Sequence, residues 1–154
     1  MINASASSKV YDGLLTATVG NASLSGVEAG DTVLLQNSTK GTFASKNVGT
    51  WSVTTSMGLV GADASKYSLT QPTLSATITA KGVTMGAGSA AGKVYDGNTT
   101  AVVTAGGLSG LVGSEGLGVT AAGTFADKNV GTRNVAATYT LANGSNGGLA
   151  SNYN

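Results

Sequence analysis

The chain has 154 residues, 41% hydrophobic but 5% aromatic, and eight basic against seven acidic side chains leave a net charge of +1. That balance offers no electrostatic footprint for nucleic acid or a membrane surface, and no stretch approaches the roughly 20 apolar residues of a bilayer-spanning helix. With no Cys and no His, disulfides, thiolate metal sites and cysteine nucleophiles are excluded, and the commonest general base is missing. The expectation is a protein that is not an enzyme, takes no cofactor and inserts in no membrane.

Ile2–Ser8 is small and polar rather than a secretory signal, and Met1 reads as the start of an excised fragment. Lys9-Val10-Tyr11-Asp12-Gly13 reads as a strand entering a tight turn, because Asp tolerates turn geometry and Gly supplies positive φ. Leu15–Val19 alternates large and small side chains, as do Trp51–Thr54, Ala76–Thr79 and Val135–Leu141. Turn residues separate them at Gly30-Asp31, Asn47-Val48-Gly49, Gly58 and Gly61, and Gly61–Tyr67 is long enough for one helical turn. No window combines ten residues of helical periodicity with caps. Short strands with Gly-rich turns predict an all-β fold of small Ig-like β-sandwiches, with a β-grasp-like sheet as the main alternative and a β-helix third.

The chain repeats itself. "KVYDG" at 9–13 returns at 93–97, "LSG" at 24–26 returns at 108–110, and "GTFASKNVGT" at 41–50 returns as "GTFADKNVGT" at 123–132. The offsets are 84, 84 and 82. This is a tandem duplication, and its period suits a small domain rather than a solenoid coil. The expected domains are 1–82 and 83–154, joined by a short connector. The stretch Thr73–Thr84 occurs once for two copies. Leu74–Ala80 is expected to close copy one, with Val83 onward leading into copy two. Copy two stops at Tyr153-Asn154 before its own closing strand, so the pair reads as a cut from a longer array.

"KVYDG", "GTFASKNVGT" and "GADASKYSL" at 61–69 together resemble the YDG-type repeats of very large secreted bacterial adhesins. Those are the filamentous-haemagglutinin-like proteins exported by two-partner secretion. The resemblance covers nearly the whole chain, once per copy. It implies a secreted or cell-surface β-rich stalk whose partners are neighbouring repeats of the same polypeptide.

The repeated residues read as structural landmarks: Tyr11, Asp12, Gly13, Phe43, Asn47 and Gly49 in copy one, with Tyr95, Asp96, Gly97, Phe125, Asn129 and Gly131 in copy two. Each Tyr is expected to cover a core edge and each Phe to anchor a core. Calcium binding at Asp12 and Asp96 would need six to eight oxygens, and the seven acids are scattered along the chain. A sharper reading joins Lys9, Asp12 and Asn47, repeated as Lys93, Asp96 and Asn129, into a spontaneous Lys–Asn isopeptide staple. That chemistry needs a neutral amine and a protonated acid in an apolar site. Five Asn-x-Ser/Thr triplets begin at Asn3, Asn21, Asn37, Asn98 and Asn143.

The leading functional expectation is a non-catalytic spacer. The alternative is a module that binds a host glycan or matrix protein through an exposed aromatic, Trp51. Copy two has Arg133 at that position, which restricts such a site to one copy.

Overall fold

Alternating burial defines the strands of the first half of the chain: Ala17 and Val19, then Leu74, Ala76 and Ile78, point inward while their neighbours face solvent. The computed structural model describes residues 2–154. Its two compact units are Met1–Ala80 and Lys81–Asn154. Lys81 belongs to the second because its N–H donates to the Asn152 carbonyl and its own carbonyl accepts from Asn154 N–H. The junction thus falls at 80/81, where the sequence suggests 82/83.

The first unit contains β1 (Ile2–Ala6), β2 (Lys9–Val10), β3 (Thr16–Leu24), β4 (Leu34–Gln36), β5 (Lys40–Phe43), β6 (Gly49–Thr55), β7 (Gly58–Val60) and β8 (Leu74–Thr79). Six of them form one sheet in the order β1-β3-β5-β6-β8-β2, and β4 pairs with β7. All pairs are antiparallel except β8 with β2. Ser7 and Ser8 alone separate β1 from β2, so the segment 2–10 pairs at both ends of the strand order. Ser7 N–H donates to Thr18 and Ser8 Oγ accepts from Thr77 N–H, which holds that crossover. Ile2, Tyr11, Val19, Phe43, Val53, Met57 and Ile78 fill the core.

The second unit contains β9 (Thr84–Met85), β10 (Ser89–Ala90), β11 (Thr100–Ala101), β12 (Val103–Thr104), β13 (Leu108–Ser109), β14 (Leu117–Phe125) and β15 (Val135–Asn143). β14 and β15 pair over nine residues with β11 beside β14, while β9–β13 and β10–β12 are short ladders. The fold is all-β. A β-grasp needs a helix lying across its sheet, and the described residues contain only two single 3₁₀ turns, Ala64–Lys66 and Ala150–Asn152. The first of these is the helical turn expected in Gly61–Tyr67.

Matching segments of the two copies take different structures in the two units. In the first, Lys9-Val10 pairs with Ile78-Thr79, and Gly49–Val53 pairs with Leu74–Ile78. In the second, Lys93-Val94 and Thr132–Asn134 are not strand, and β15 begins only at Val135. No described residues take the place of β8 there. Tyr11 is 1% exposed and Tyr95 59%. Phe43 is buried, whereas Phe125 is only half-buried. The expected equal roles of the two Tyr and two Phe residues therefore hold in the first unit and not in the second, because the strand that covers them there has no counterpart.

Calorimetry should accordingly resolve two transitions, the lower from the second unit. Phe43→Ala should cost the first unit about 3–5 kcal/mol, and Phe125→Ala should cost the second about 1–2 kcal/mol, as expected for a half-buried ring. Equal losses would contradict this account of the packing.

Candidate functional site

The repeated motifs converge on one arrangement in each unit. Asp12 Oδ1 accepts from Leu14 N–H at 2.9 Å, closing the turn that Gly13 enters at φ 76°. Lys9 Nζ reaches over the same turn to Asp12 Oδ1 at 2.7 Å and to the Leu14 carbonyl at 2.8 Å. Its ammonium also lies 5.4 Å from the centre of the Phe43 ring. The two motifs, distant in sequence, thus meet as a Lys-Asp turn clasp over a Phe face.

Copy two repeats the clasp: Lys93 Nζ holds Asp96 Oδ1 at 2.8 Å, stands 5.7 Å from the Phe125 ring, and Gly97 has φ 77°. Asn98 adds its side-chain oxygen to Lys93 at 2.6 Å. The clasp survives although the Tyr95 ring beside it is uncovered, so it is a local structure that does not need the closing strand.

Burial pushes the Asp12 carboxyl up, but the Lys9 hydrogen bond, the Leu14 amide and the Lys9 charge together hold it below 3.8. Lys93, followed by the Asn98 amide, holds Asp96 down in the same sense. An ionised carboxylate paired with an ammonium is the opposite of the neutral amine and protonated acid that isopeptide chemistry needs. Asn47 serves its own turn: its N–H donates to Ser45 Oγ, and its carbonyl accepts the Trp51 indole N–H at 2.7 Å. Among the described residues no group of three acids could hold a metal ion.

Trp51 is half-buried on Gly49, whose φ is 143°. A Cβ at Gly49 would stand 3.2 Å from the indole nitrogen and would push the ring by a few tenths of an ångström, and the positive φ itself favours glycine. Arg133 occupies the matching position over Gly131. Its Nε donates to Asp127 Oδ1 at 2.8 Å and its terminal nitrogens to the Thr132 and Val130 carbonyls. Arg133 and then the Asn129 amide hold the Asp127 carboxyl below 3.8. The differences between copies at Ser45/Asp127 and Trp51/Arg133 are therefore linked. Each pair secures the same Lys-Asn-Val-Gly turn, one by an indole and one by an ion pair.

A second recurring clasp is not evident from the motifs. Tyr67 Oη donates to Asp31 Oδ2 at 2.7 Å and accepts from Glu28 N–H. Tyr153 Oη donates to Glu115 Oε2 at 2.6 Å and accepts from Val112 N–H. The signal was the recurrence of Ala-Ser-x-Tyr at 64–67 and 150–153, which marks a long-range partner without naming it. Among the triplet asparagines, Asn21 and Asn37 take left-handed backbone at φ 54° and 55°, a conformation Asn tolerates better than most residues.

Three measurements check this reading. The intact mass should equal the sequence mass, since each Lys–Asn bond would release one ammonia. Because the folded pKa values of Asp12 and Asp96 are depressed, their contribution is present above 3.8 and is lost as pH falls through the lower folded values. Asp12→Asn should flatten that acid loss in the first unit. Burial and then the Glu115 hydrogen bond raise Tyr153 above 10.0, so its contribution is present below 10.0 and disappears as pH rises through the folded value. Tyr153→Phe should remove this alkaline loss from the second unit's melting profile.

No curated protein and no solved structure gives a match to the chain. The YDG domain family matches residues 1–75 and again 79–154, and those two stretches contain both clasps of each unit. The chain belongs to the YDG domain family, of which it carries two tandem copies.

Proposed function

We propose that this chain is a non-catalytic spacer from the stalk of a secreted bacterial cell-surface adhesin, acting beside neighbouring repeats of the same polypeptide. One observation carries the reading: the polar residues that recur between copies are bonded to partners within their own unit. Lys9 and Lys93 hold Asp12 and Asp96, and Tyr67 and Tyr153 hold Asp31 and Glu115. Repetition has kept the groups that shape the domain. In such a stalk each unit folds on its own core and copy number sets reach. The filamentous-haemagglutinin-like setting and two-partner export belong to this proposal, as extensions of membership in the YDG domain family.

The rival reading places a host glycan or matrix protein on Trp51. Its indole N–H is engaged by Asn47 and its ring rests on Gly49, which favours a turn-securing role. The chain should be tested against immobilised glycans, matrix proteins and cells, with Trp51→Ala in parallel. Absence of saturable binding by both forms is the expected result. Binding that is saturable and lost in the Trp51 variant would replace the spacer with a recognition module.

A further inference from the structure

The second unit contains an open groove of about 310 Å³ whose lining includes Lys93, Val94, Tyr95, Phe125, Gly131 and Arg133. Its counterpart in the first unit is filled. There β8 runs parallel to Lys9-Val10 and antiparallel to Gly49–Val53, and Tyr11 N–H donates to the Thr79 carbonyl at 2.9 Å. Leu74, Ala76 and Ile78 of β8 are buried, Ile78 completely. The lining of the open groove is the same set of motif residues, shifted by the repeat offsets of 84 and 82. Val94 at 89% exposure, Val130 at 82% and Tyr95 at 59% give the second unit an apolar rim, and unpaired strand edges accept further strands.

We infer that this groove is a strand-acceptor site, and that it takes an extended, uncharged polypeptide segment with an apolar residue at every second position. The first unit fixes the geometry. The incoming segment lies parallel to 93–95 and antiparallel to 131–135, with a Leu74-like residue facing Val135, a small residue facing Arg133 and an Ile78-like residue between Lys93 and Gly131. The small middle position follows from the Trp51↔Ala76 pairing. Filling the groove converts Lys93-Val94 and Thr132–Asn134 to strand and covers Tyr95 and Phe125. The inference does not depend on the spacer reading, because it rests on a comparison of the two units alone.

The test uses the intact chain and a synthetic peptide of residues Thr73–Ala80, followed by NMR amide exchange and sedimentation. The expected result is a monomer that binds the peptide, with amides of 93–95 and 131–135 slowed. Peptide carrying Ile78→Asp should not bind. Tyr95→Ala in the chain should weaken binding at least ~10-fold, as loss of a central aromatic contact does, while the free fold persists because Tyr95 is exposed. A second version appends residues 69–80 after Asn154, matching the spacing from Tyr67 to β8, and should raise the melting temperature of the second unit.

Two results would overturn the inference. One is a chain whose 93–95 and 131–135 amides are already protected in a concentration-dependent dimer that refuses the peptide, since the occupant is then a second copy. The other is an exposed groove that neither the peptide nor the appended segment fills.

Discussion

Strand β8 lies between β6 and β2, bonded to one in antiparallel and to the other in parallel register. Every buried large side chain of the 9–11 and 49–53 stretches depends on it. Its inward face of Leu74, Ala76 and Ile78 is buried in the same core as Tyr11, Phe43 and Val53, with Leu74 paired to Val53. A unit this poor in aromatics has few large side chains with which to exclude water, so one six-residue strand weighs heavily on its stability. The second unit shows the same chain segments without that wall: the Tyr is solvated, the Phe half-covered and the strand ends frayed into irregular backbone.

Beneath this dependence lies a layer of structure that is indifferent to it. The Lys-Asp turn clasps have nearly the same geometry in both units, with Lys–Asp distances of 2.7 and 2.8 Å. They are built from residues three apart, so chain connectivity already supplies most of their effective concentration. At the partly exposed surface such ion pairs add little stability by themselves. Their role is to fix the turn and set the Lys above the Phe ring. The Tyr–carboxylate clasps are different in kind, since they join residues 36 and 38 positions apart and tie a distant loop to the residue after the 3₁₀ turn of each unit.

Under the proposed spacer role, this division would be useful. Local clasps define each unit's shape, and completion by a strand decides how well its core is sealed. The Trp51/Arg133 exchange illustrates the tolerance that follows. A turn can be secured by an indole on glycine or by a guanidinium on an aspartate while its glycine keeps a similar φ, 143° at Gly49 and 131° at Gly131.

Much of this was legible in the residues. The duplication, the all-β class, the YDG turns and the positions of β3, β6, β8 and β15 followed from repeat spacing, two-residue alternation and Gly or Asp at turns, all properties of short segments. The linked exchanges at 45/127 and 51/133 were visible as differences but not as a pair, because contact across a turn cannot be read from identity alone. The partners of Tyr67 and Tyr153 were hidden for the same reason. The plainest case is the pentapeptide itself: Lys-Val-Tyr-Asp-Gly determined the turn in both copies, whereas only the tertiary structure decided that one Tyr is core and the other surface. A turn is a property of its own residues; a strand and a buried ring are properties of whatever lies beside them.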